Sequence, residues 1–319
     1  MSVALVFVDG VGIGKRDAAR NPLARVPSLL SHFEDGSGEA LPAGGALAPV
    51  DARLGVEGRP QSATGQATIF TGCNASAHLG RHLCGFPNGK LKQLLAAESI
   101  FKKVGAAGGR ATFANAYPRP YLSLLDLPYE GPRAPALQIE PRMRRRLQPS
   151  ASTCAASAHG PLRTLEHAAA SQALTHDITG STRKRHGFDV PSRTPQAAAE
   201  ILTALMDDHD FVLFEHFLLD EAGHACDMDR AVSVLGELDA FLRALVRSLD
   251  PRDHLLVVSD HGNCEDLGTR SHTLNPVPLL CFGPRAQQIA KRSTSLLDVA
   301  PAVLELAQLE RPGQLARPA

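Results

Sequence analysis

Four apolar runs in this chain have the length of strands and are too short for helices. They cover residues 3–8, 210–217, 254–258 and 277–282. The first is apolar at every position, which is typical of a central parallel strand that is buried on both faces. In the first three, an aspartate follows the run within three residues. Because ligands of open α/β sheets bind at the carboxyl ends of the strands, this pattern predicts an active-site crevice there.

Helical patterns alternate with these runs. Thr194 and Pro195 are suited to the N-cap and the first helical position, so a helix is predicted to start there. Residues 231–249 place leucines on one face at helical spacing. A last helix, 296–306, is expected to be interrupted at Pro301. The alternation predicts an α/β fold whose mostly parallel central sheet carries helices on both faces.

The middle of the chain has a different character, with weak periodicity and a stretch rich in proline and arginine. We expect residues 87–190 to form a small inserted α+β cap domain, and residues 1–86 and 191–319 to form a discontinuous core. The patterns within the cap predict helices near 91–95 and 162–170 and strands near 110–116 and 173–179.

Carboxylates and imidazoles follow the predicted strands or lie on the loops after them. Three of each form the candidate set: Asp9, Asp220, His224, Asp260, His261 and His272. Mixed nitrogen and oxygen ligands suit zinc or manganese better than calcium. Six ligands are enough for two divalent cations about 4 Å apart. Cys264 and Glu265 flank this loop and are candidates for groups that hold the ligands in place.

A predicted helix that starts between Ser62 and Thr64 offers a hydroxyl group beside free backbone N–H groups. Such a hydroxyl is either an ordinary N-cap or a group that meets a phosphate, since the helix N-terminus is electropositive. Residue type and position alone leave both interpretations open.

Composition narrows the class of protein. The 319 residues contain 33 Lys and Arg and 33 Asp and Glu, so no overall field favours nucleic acid or an anionic membrane. The basic segment 142–146 is either a solvated surface or a phosphate-contacting patch. The six cysteines form no Cys-x-x-Cys pair, no apolar run approaches membrane-spanning length, and no leader pattern opens the chain. We therefore expect a cytoplasmic protein, without a preference for any oligomeric state.

Four motifs resemble the alkaline phosphatase superfamily, and most closely its branch of cofactor-independent phosphoglycerate mutases and phosphopentomutases. They are Asp-Gly-Val-Gly-Ile-Gly at 9–14, Asp-x-x-Gly-His at 220–224, Ser-Asp-His-Gly-Asn at 259–263 and His-Thr-x-Asn-x-Val-Pro at 272–278. The resemblance implies one metal bound by Asp220, His224 and His272, and a second bound by Asp9, Asp260 and His261. It also implies a nucleophilic hydroxyl, for which Ser62 fits the glycine spacing and Thr64 is the second choice.

The implied activity is two-metal-dependent phosphoryl transfer from a small phosphorylated metabolite through a phosphoserine, as a mutase or a phosphatase. The alternatives are a phosphodiesterase or phosphonate hydrolase on the same scaffold, or a non-catalytic metal-binding protein. Gln66 stands where the mutases have histidine, and no His-Ser-His segment or paired-arginine motif for phosphoglycerate is present. The candidates for substrate contacts are Asn74, Arg81, His82, Arg144 and Arg163.

Overall fold

The computed structural model describes residues 1–42, 44–140, 147–181 and 187–307. The strands of this part of the chain are β1 Val3–Val8, β2 Ala46–Val50, β3 Ala111–Phe113, β4 Ala116–Tyr117, β5 Arg163–Thr164, β6 Phe211–His216, β7 His254–Val258 and β8 Val277–Phe282. Six of them form one sheet in the order β2-β8-β7-β1-β6-β3. β1 pairs in parallel with β6 and β7, β3 pairs in parallel with β6, and β8 runs antiparallel to both of its neighbours. A second, two-stranded sheet joins β4 and β5.

Twelve α-helices are present in the described residues. They are α1 Ser62–Thr71, α2 Ala75–Leu79, α3 Gly89–Glu98, α4 Ile100–Ala106, α5 Arg119–Leu124, α6 Ala151–Ser157, α7 Leu165–Ala169, α8 Pro195–Asp208, α9 Leu218–Ala225, α10 Met228–Ser248, α11 Ala286–Arg292 and α12 Val299–Leu306. Among them, no helix combines the length and the apolar character that crossing a bilayer requires.

Apolar side chains cover both faces of the large sheet. On one face, α1, α3, α4, α6 and α12 pack against the strands, with Phe7 edge-on to Phe70 at a ring-centroid distance of 5.7 Å. On the other face, α8 and α10 pack against it, and Phe214 contacts Phe241 at 5.4 Å. The predicted α/β architecture, a mostly parallel sheet between two helical layers, is therefore confirmed.

The parallel register brings the candidate ligands together at the carboxyl ends of the central strands. Val8 of β1 lies opposite His216 of β6, and Phe7 lies opposite Val258 of β7. The residues that follow these three strands consequently leave the sheet side by side. Asp9 and Asp260 follow the ends of β1 and β7. Asp220 belongs to α9, which is separated from the end of β6 by a single residue, Phe217.

The region 87–190 contributes to the large sheet as well as to structure above it. Its strand β3 is the edge strand next to β6, and Leu91 and Leu95 of α3 lie in the same apolar layer as β1. The predicted strand at 173–179 is wrong: only Leu174 makes a bridge, to Asn115, and Ile178 has φ +62°, which ends an extended run. The domain boundaries at 87 and 190 stay a prediction.

Pro301 does not interrupt the last helix. It is the third residue of α12, after a short 3-10 turn at Leu296–Asp298. Proline is tolerated in the first turn because the backbone N–H at these positions has no partner within the helix. The predicted interruption at this residue is therefore wrong.

Candidate active site

Asp9, Asp260 and His261 converge at the carboxyl ends of β1 and β7. Their donor atoms lie within 4.8 Å of one another. His261 Nε2 is 3.2 Å from Asp9 Oδ1 and 3.5 Å from Asp260 Oδ2. All three side chains are buried. We call these residues group A.

Asp220, His224 and His272 form a second cluster, group B, whose donor atoms also lie within 4.8 Å of one another. Asp220 and His224 are four residues apart on α9 and therefore share one helix face, with His224 Nε2 3.4 Å from Asp220 Oδ2. His272 comes from the loop before β8, and its Nε2 lies 3.2 Å from His224 Nε2. Groups A and B adjoin, because the rings of His261 and His272 stack with centroids 3.6 Å apart.

Backbone carbonyls orient both histidines of group B. His272 Nδ1 lies 2.9 Å from the Pro60 carbonyl oxygen, and His224 Nδ1 lies 2.9 Å from that of Arg270. A carbonyl oxygen only accepts hydrogen bonds, so the neutral ring in each case carries its proton on Nδ1. This leaves the Nε2 lone pair free to bind a cation, which is the usual arrangement of metal-ligating histidine.

The electrostatics of group A fit a divalent cation. Burial, and then the charge of Asp9, raises the pKa of Asp260 well above its ordinary value. Burial, and then the charge of Asp220, raises the pKa of Asp9 in the same way. Asp9 Oδ1 and both carboxylate oxygens of Asp260 are buried without a hydrogen-bond partner. A cation would supply the missing partner and favour the charged carboxylates.

Ser62 is the first residue of α1, and its hydroxyl faces group A. Ser62 Oγ lies 2.9 Å from His261 Nε2. The N-cap position of the helix belongs to Gln61, which makes no side-chain capping bond. Ser62 is therefore not the N-cap that one interpretation of the sequence expected.

Thr64, the second choice, has a different environment. Its hydroxyl donates to the Gln61 carbonyl oxygen at 3.2 Å and accepts from the Leu83 N–H at 3.2 Å. The side chain is fully buried. These bonds tie the start of α1 to the segment that follows α2, which is a structural role.

Several side chains that hold the ligands come from distant parts of the sequence. Gln66, one turn after Ser62, donates to Asp9 Oδ2 at 3.3 Å. Asn263 Nδ2 donates to Asp220 Oδ1 at 2.6 Å. The motifs identified the position of Gln66 and the Asn263 segment, but they did not indicate which ligand each one would contact.

Glu265 joins three loops of the site. Its buried carboxylate accepts from the N–H groups of Gly12 at 2.9 Å and Asn263 at 2.7 Å. The Thr273 hydroxyl and Asn275 Nδ2, the latter at 3.0 Å, donate to its other oxygen. The loops after β1 and β7 and the loop that carries His272 therefore meet at one side chain.

A cavity of about 600 Å³ opens onto both groups, and Asp9, Ser62, Gln66 and Asp220 form its inner end. Most of its walls come from residues between α2 and α6. Phe188 and the residues around the end of β6 complete them. They include Phe86, Tyr117, Tyr121, Leu137, Phe188 and Phe217. The cavity gives a small organic molecule direct access to the Ser62 hydroxyl.

Comparison with protein families gives one match in the region of these groups. Residues 185–311 match the family model of the Metalloenzyme superfamily. This matched part is less than half of the chain. It contains group B and two of the three residues of group A. The resemblance found in the motifs is thereby confirmed for the region that carries most of the candidate ligands.

Two relatives are named as phosphoglycerate mutases, and each matches 39% of this chain. The chain is 34% identical over 140 residues to the 2,3-bisphosphoglycerate-independent phosphoglycerate mutase of Halobacterium salinarum. This alignment covers 39% of this chain and 28% of the relative. It is 30% identical over 132 residues to the mutase of Desulforudis audaxviator, covering 39% and 26%. The match therefore spans little more than a quarter of the length of these relatives.

Solved structures share the fold over nearly the whole chain. The PH0037 protein from Pyrococcus horikoshii has a TM-score of 0.56 and 14% identity, covering 97% of each chain. The cold-active alkaline phosphatase from the psychrophile Shewanella sp. has a TM-score of 0.53 and 12% identity, covering 96% of this chain and all of that one. The part of the chain that matches the metalloenzyme model therefore lies within an alkaline phosphatase-like fold.

The four candidates for substrate contacts that the structure describes do not line the cavity. Asn74 caps α2 and donates to the Leu54 carbonyl oxygen, and His82 lies between Ser76 and the Val56 carbonyl oxygen. Arg81 is exposed outside the cavity. Arg163 donates to Thr112 Oγ1 at 2.9 Å near the opposite edge of the sheet. Arg144, with the basic segment 142–146, lies outside the described residues. The four described candidates were chosen for charge and proximity in sequence, neither of which fixes the direction of a side chain.

Proposed function

We propose that the protein is a metal-dependent phosphoryl-transfer enzyme that acts on a small phosphate ester through a phosphoserine at Ser62. Two divalent cations, zinc or manganese, would be held by groups A and B. The observation that carries this proposal is the 2.9 Å distance from Ser62 Oγ to His261 Nε2 of group A, at the inner end of a cavity open to substrate. A hydroxyl beside a cation site is the arrangement that nucleophilic catalysis requires.

The chain positions the nucleophile and excludes competing contacts. Ser62 Oγ forms a bond to phosphorus as the bond from phosphorus to the ester oxygen breaks, and the alcohol leaves with a proton taken from water. The serine proton passes to solvent through the cavity. When bound, the divalent cations lower the pKa of the serine hydroxyl and stabilise the charge that develops on the phosphoryl oxygens. Gln66 holds Asp9 in place on the side of group A that faces the cavity.

The second half of the reaction distinguishes a phosphatase from a mutase. A phosphatase transfers the phosphoryl group from Ser62 to water, and a mutase returns it to the substrate. Ser62 is half-buried, and the rim residues Phe86 and Leu137 are 41% and 42% exposed. Water therefore has access to the site, which favours hydrolysis. The mutase is the second candidate, because the relatives named above are mutases.

The nucleophile is tested with the wild type and Ser62→Ala, each loaded with manganese or zinc, on 4-nitrophenyl phosphate. We expect the substitution to lower kcat by at least about 10³-fold, because it removes the hydroxyl that lies 2.9 Å from His261 Nε2 and forms the bond to phosphorus. Metal content, measured by elemental analysis, should stay the same. Ser157→Ala at the end of α6 is the matched control and should retain wild-type turnover. Equal turnover by wild type and Ser62→Ala would rule out this nucleophile.

Hydrolysis and mutase activity are separated by product analysis. In ¹⁸O-labelled water a phosphatase releases labelled inorganic phosphate, because the phosphoserine is cleaved by water. A mutase instead converts 3-phosphoglycerate to 2-phosphoglycerate without release of phosphate. Conversion of this kind by the wild type would assign the chain to the second candidate.

A further inference from the structure

The cavity beside group A has an apolar, aromatic wall. Tyr117 and Tyr121 stack with ring centroids 5.8 Å apart, and Phe217 stacks on His176 at 4.2 Å with the planes 14° apart. Phe217 is also the residue before α9, which carries two ligands of group B. Flat aromatic surfaces are therefore positioned next to the metal ligands by packing, before any substrate enters.

Two side chains at the rim are unusually exposed for their type. Phe86 and Leu137 are two of the four large hydrophobic residues that are exposed in the described part of the chain. Leu137 is fixed there by its N–H, which donates to the Pro120 carbonyl oxygen at 3.0 Å. Contact with an apolar ligand would remove both side chains from water, which is favourable in proportion to the area buried.

The four acidic side chains that line the cavity include two candidate metal ligands, Asp9 and Asp220. Bound cations would offset the charge of these two carboxylates. Glu215 is buried on β6 and accepts from Ser152 Oγ at 2.7 Å and Ser150 Oγ at 3.2 Å. The apolar wall is therefore the surface of the cavity that remains for the organic group of an ester.

From these observations, and resting on the proposed function, we infer the class of substrate. We propose that the enzyme prefers phosphate esters of aromatic or larger apolar alcohols over esters of small alcohols that do not reach the rim. The phosphoryl group would lie at Ser62, and the organic group would lie between the rim residues Phe86 and Leu137 and the aromatic wall.

The test compares esters whose leaving alcohols are of similar reactivity. We would measure kcat/KM of the manganese- or zinc-loaded wild type for 2-phenylethyl phosphate and ethyl phosphate. We expect kcat/KM for 2-phenylethyl phosphate to be higher by about 30-fold, because burial of the ring against the rim and the aromatic wall is favourable. Equal values, or a preference for ethyl phosphate, would overturn the inference while leaving phosphoryl transfer intact.

Substitutions at the rim locate the effect in the cavity. In Phe86→Ala and Leu137→Ala the ratio of kcat/KM between 2-phenylethyl and ethyl phosphate should fall by about 10-fold. Val246→Ala, a half-buried apolar residue of α10 far from the cavity, is the matched control and should keep the wild-type ratio. An unchanged ratio in both rim variants would show that the organic group does not bind there.

Binding separates a failure of this inference from a failure of the proposed function. Calorimetry with metal-loaded Ser62→Ala would compare benzylphosphonate with methylphosphonate, which lacks the ring. Tighter binding of benzylphosphonate supports the substrate class even if no ester is turned over, in which case the proposed activity alone fails. Equal or tighter binding of methylphosphonate overturns the substrate class.

Discussion

At the scale of single residues, the buried carboxylate of Glu265 holds together the loops that carry the candidate ligands, although it is not itself a candidate ligand. Glu265 accepts hydrogen bonds from three loops, and a Cβ atom on Gly12 or Gly262 would collide with it. The glycines therefore allow the loops to close around this side chain. Group A and the loop of His272 are held in one relative position by a single buried group.

We expect Glu265→Gln to weaken metal binding by about 10- to 100-fold, the usual range for groups that orient metal ligands. Each carboxylate oxygen accepts two hydrogen bonds, and the amide keeps only one acceptor oxygen, so two of the four donors lose their acceptor. Calorimetric titration with zinc measures the change. Glu200→Gln on the exposed face of α8 is the matched control and should bind zinc like the wild type. Wild-type affinity in Glu265→Gln would contradict the positioning role.

The clustering of the candidate ligands could be expected from residue type and position, since Asp9 and Asp260 follow strands that are recognisable in the sequence. Residue type and position left the choice between Ser62 and Thr64 open, and the resemblance favoured Ser62 by its glycine spacing. That the Ser62 hydroxyl lies beside His261 is seen only in the structure. Contacts such as Gln66 with Asp9 or Asn263 with Asp220 join residues 57 and 43 positions apart. No local pattern encodes such pairs, so they required the structure.

At the scale of elements, the position of α1 over the end of β7 decides where the Ser62 hydroxyl lies. Gly65 makes this approach possible: a Cβ atom there would come within 2.9 Å of both Asp260 Cβ and the Asp260 carbonyl oxygen. Any side chain at this position must therefore push the helix away from group A. The distance between the Ser62 hydroxyl and group A therefore depends on this glycine.

We expect Gly65→Ala to lower kcat by at least about 10-fold, because a shift of the helix moves Ser62 away from its reacting position. The crowding should also lower the free energy of unfolding by about 1–3 kcal/mol. Gly236→Ala in α10 is the matched control, since a Cβ atom there meets nothing within 4 Å. It should raise stability by about 0.5–1 kcal/mol, as alanine favours a helix over glycine. Chemical unfolding and steady-state kinetics measure both variants.

Strands that are buried throughout were predicted well because every residue carries the signal. β1, β7 and β8 have the bounds that their apolar runs indicate. The region 87–190 was harder, since β4 and β5 have two residues each and β3 has three. Such lengths are too short to show periodicity, and their pairing depends on contacts that are remote in sequence.

At the scale of the whole molecule, folding gathers Asp9, Asp220 and Asp260 into one interior region although the chain has no net charge. Bound cations offset the repulsion, so stability should depend on metal. We expect a chelator to lower Tm by about 5 °C or more, and zinc or manganese to restore it, since a ligand that binds only the folded state stabilises it.

Asp260→Asn provides the control for this dependence. It removes one buried charge from group A, so the chelated variant should be at least as stable as the chelated wild type. Its Tm should respond less to added metal, because one ligand is lost. Differential scanning calorimetry measures all four states. A wild-type Tm that is indifferent to chelator would contradict a metal centre at groups A and B.

The order of the strands in the sheet also bears on synthesis at the ribosome. β1 is made before both of its neighbours, β6 and β7, which begin at Phe211 and His254. The nascent chain therefore carries six consecutive apolar residues without either partner strand until β6 has been synthesised. Such segments are prone to aggregation and to chaperone binding. Asp9 is likewise made long before Asp260 and His261, so group A can assemble only after β7 and the loop that follows it have left the ribosome.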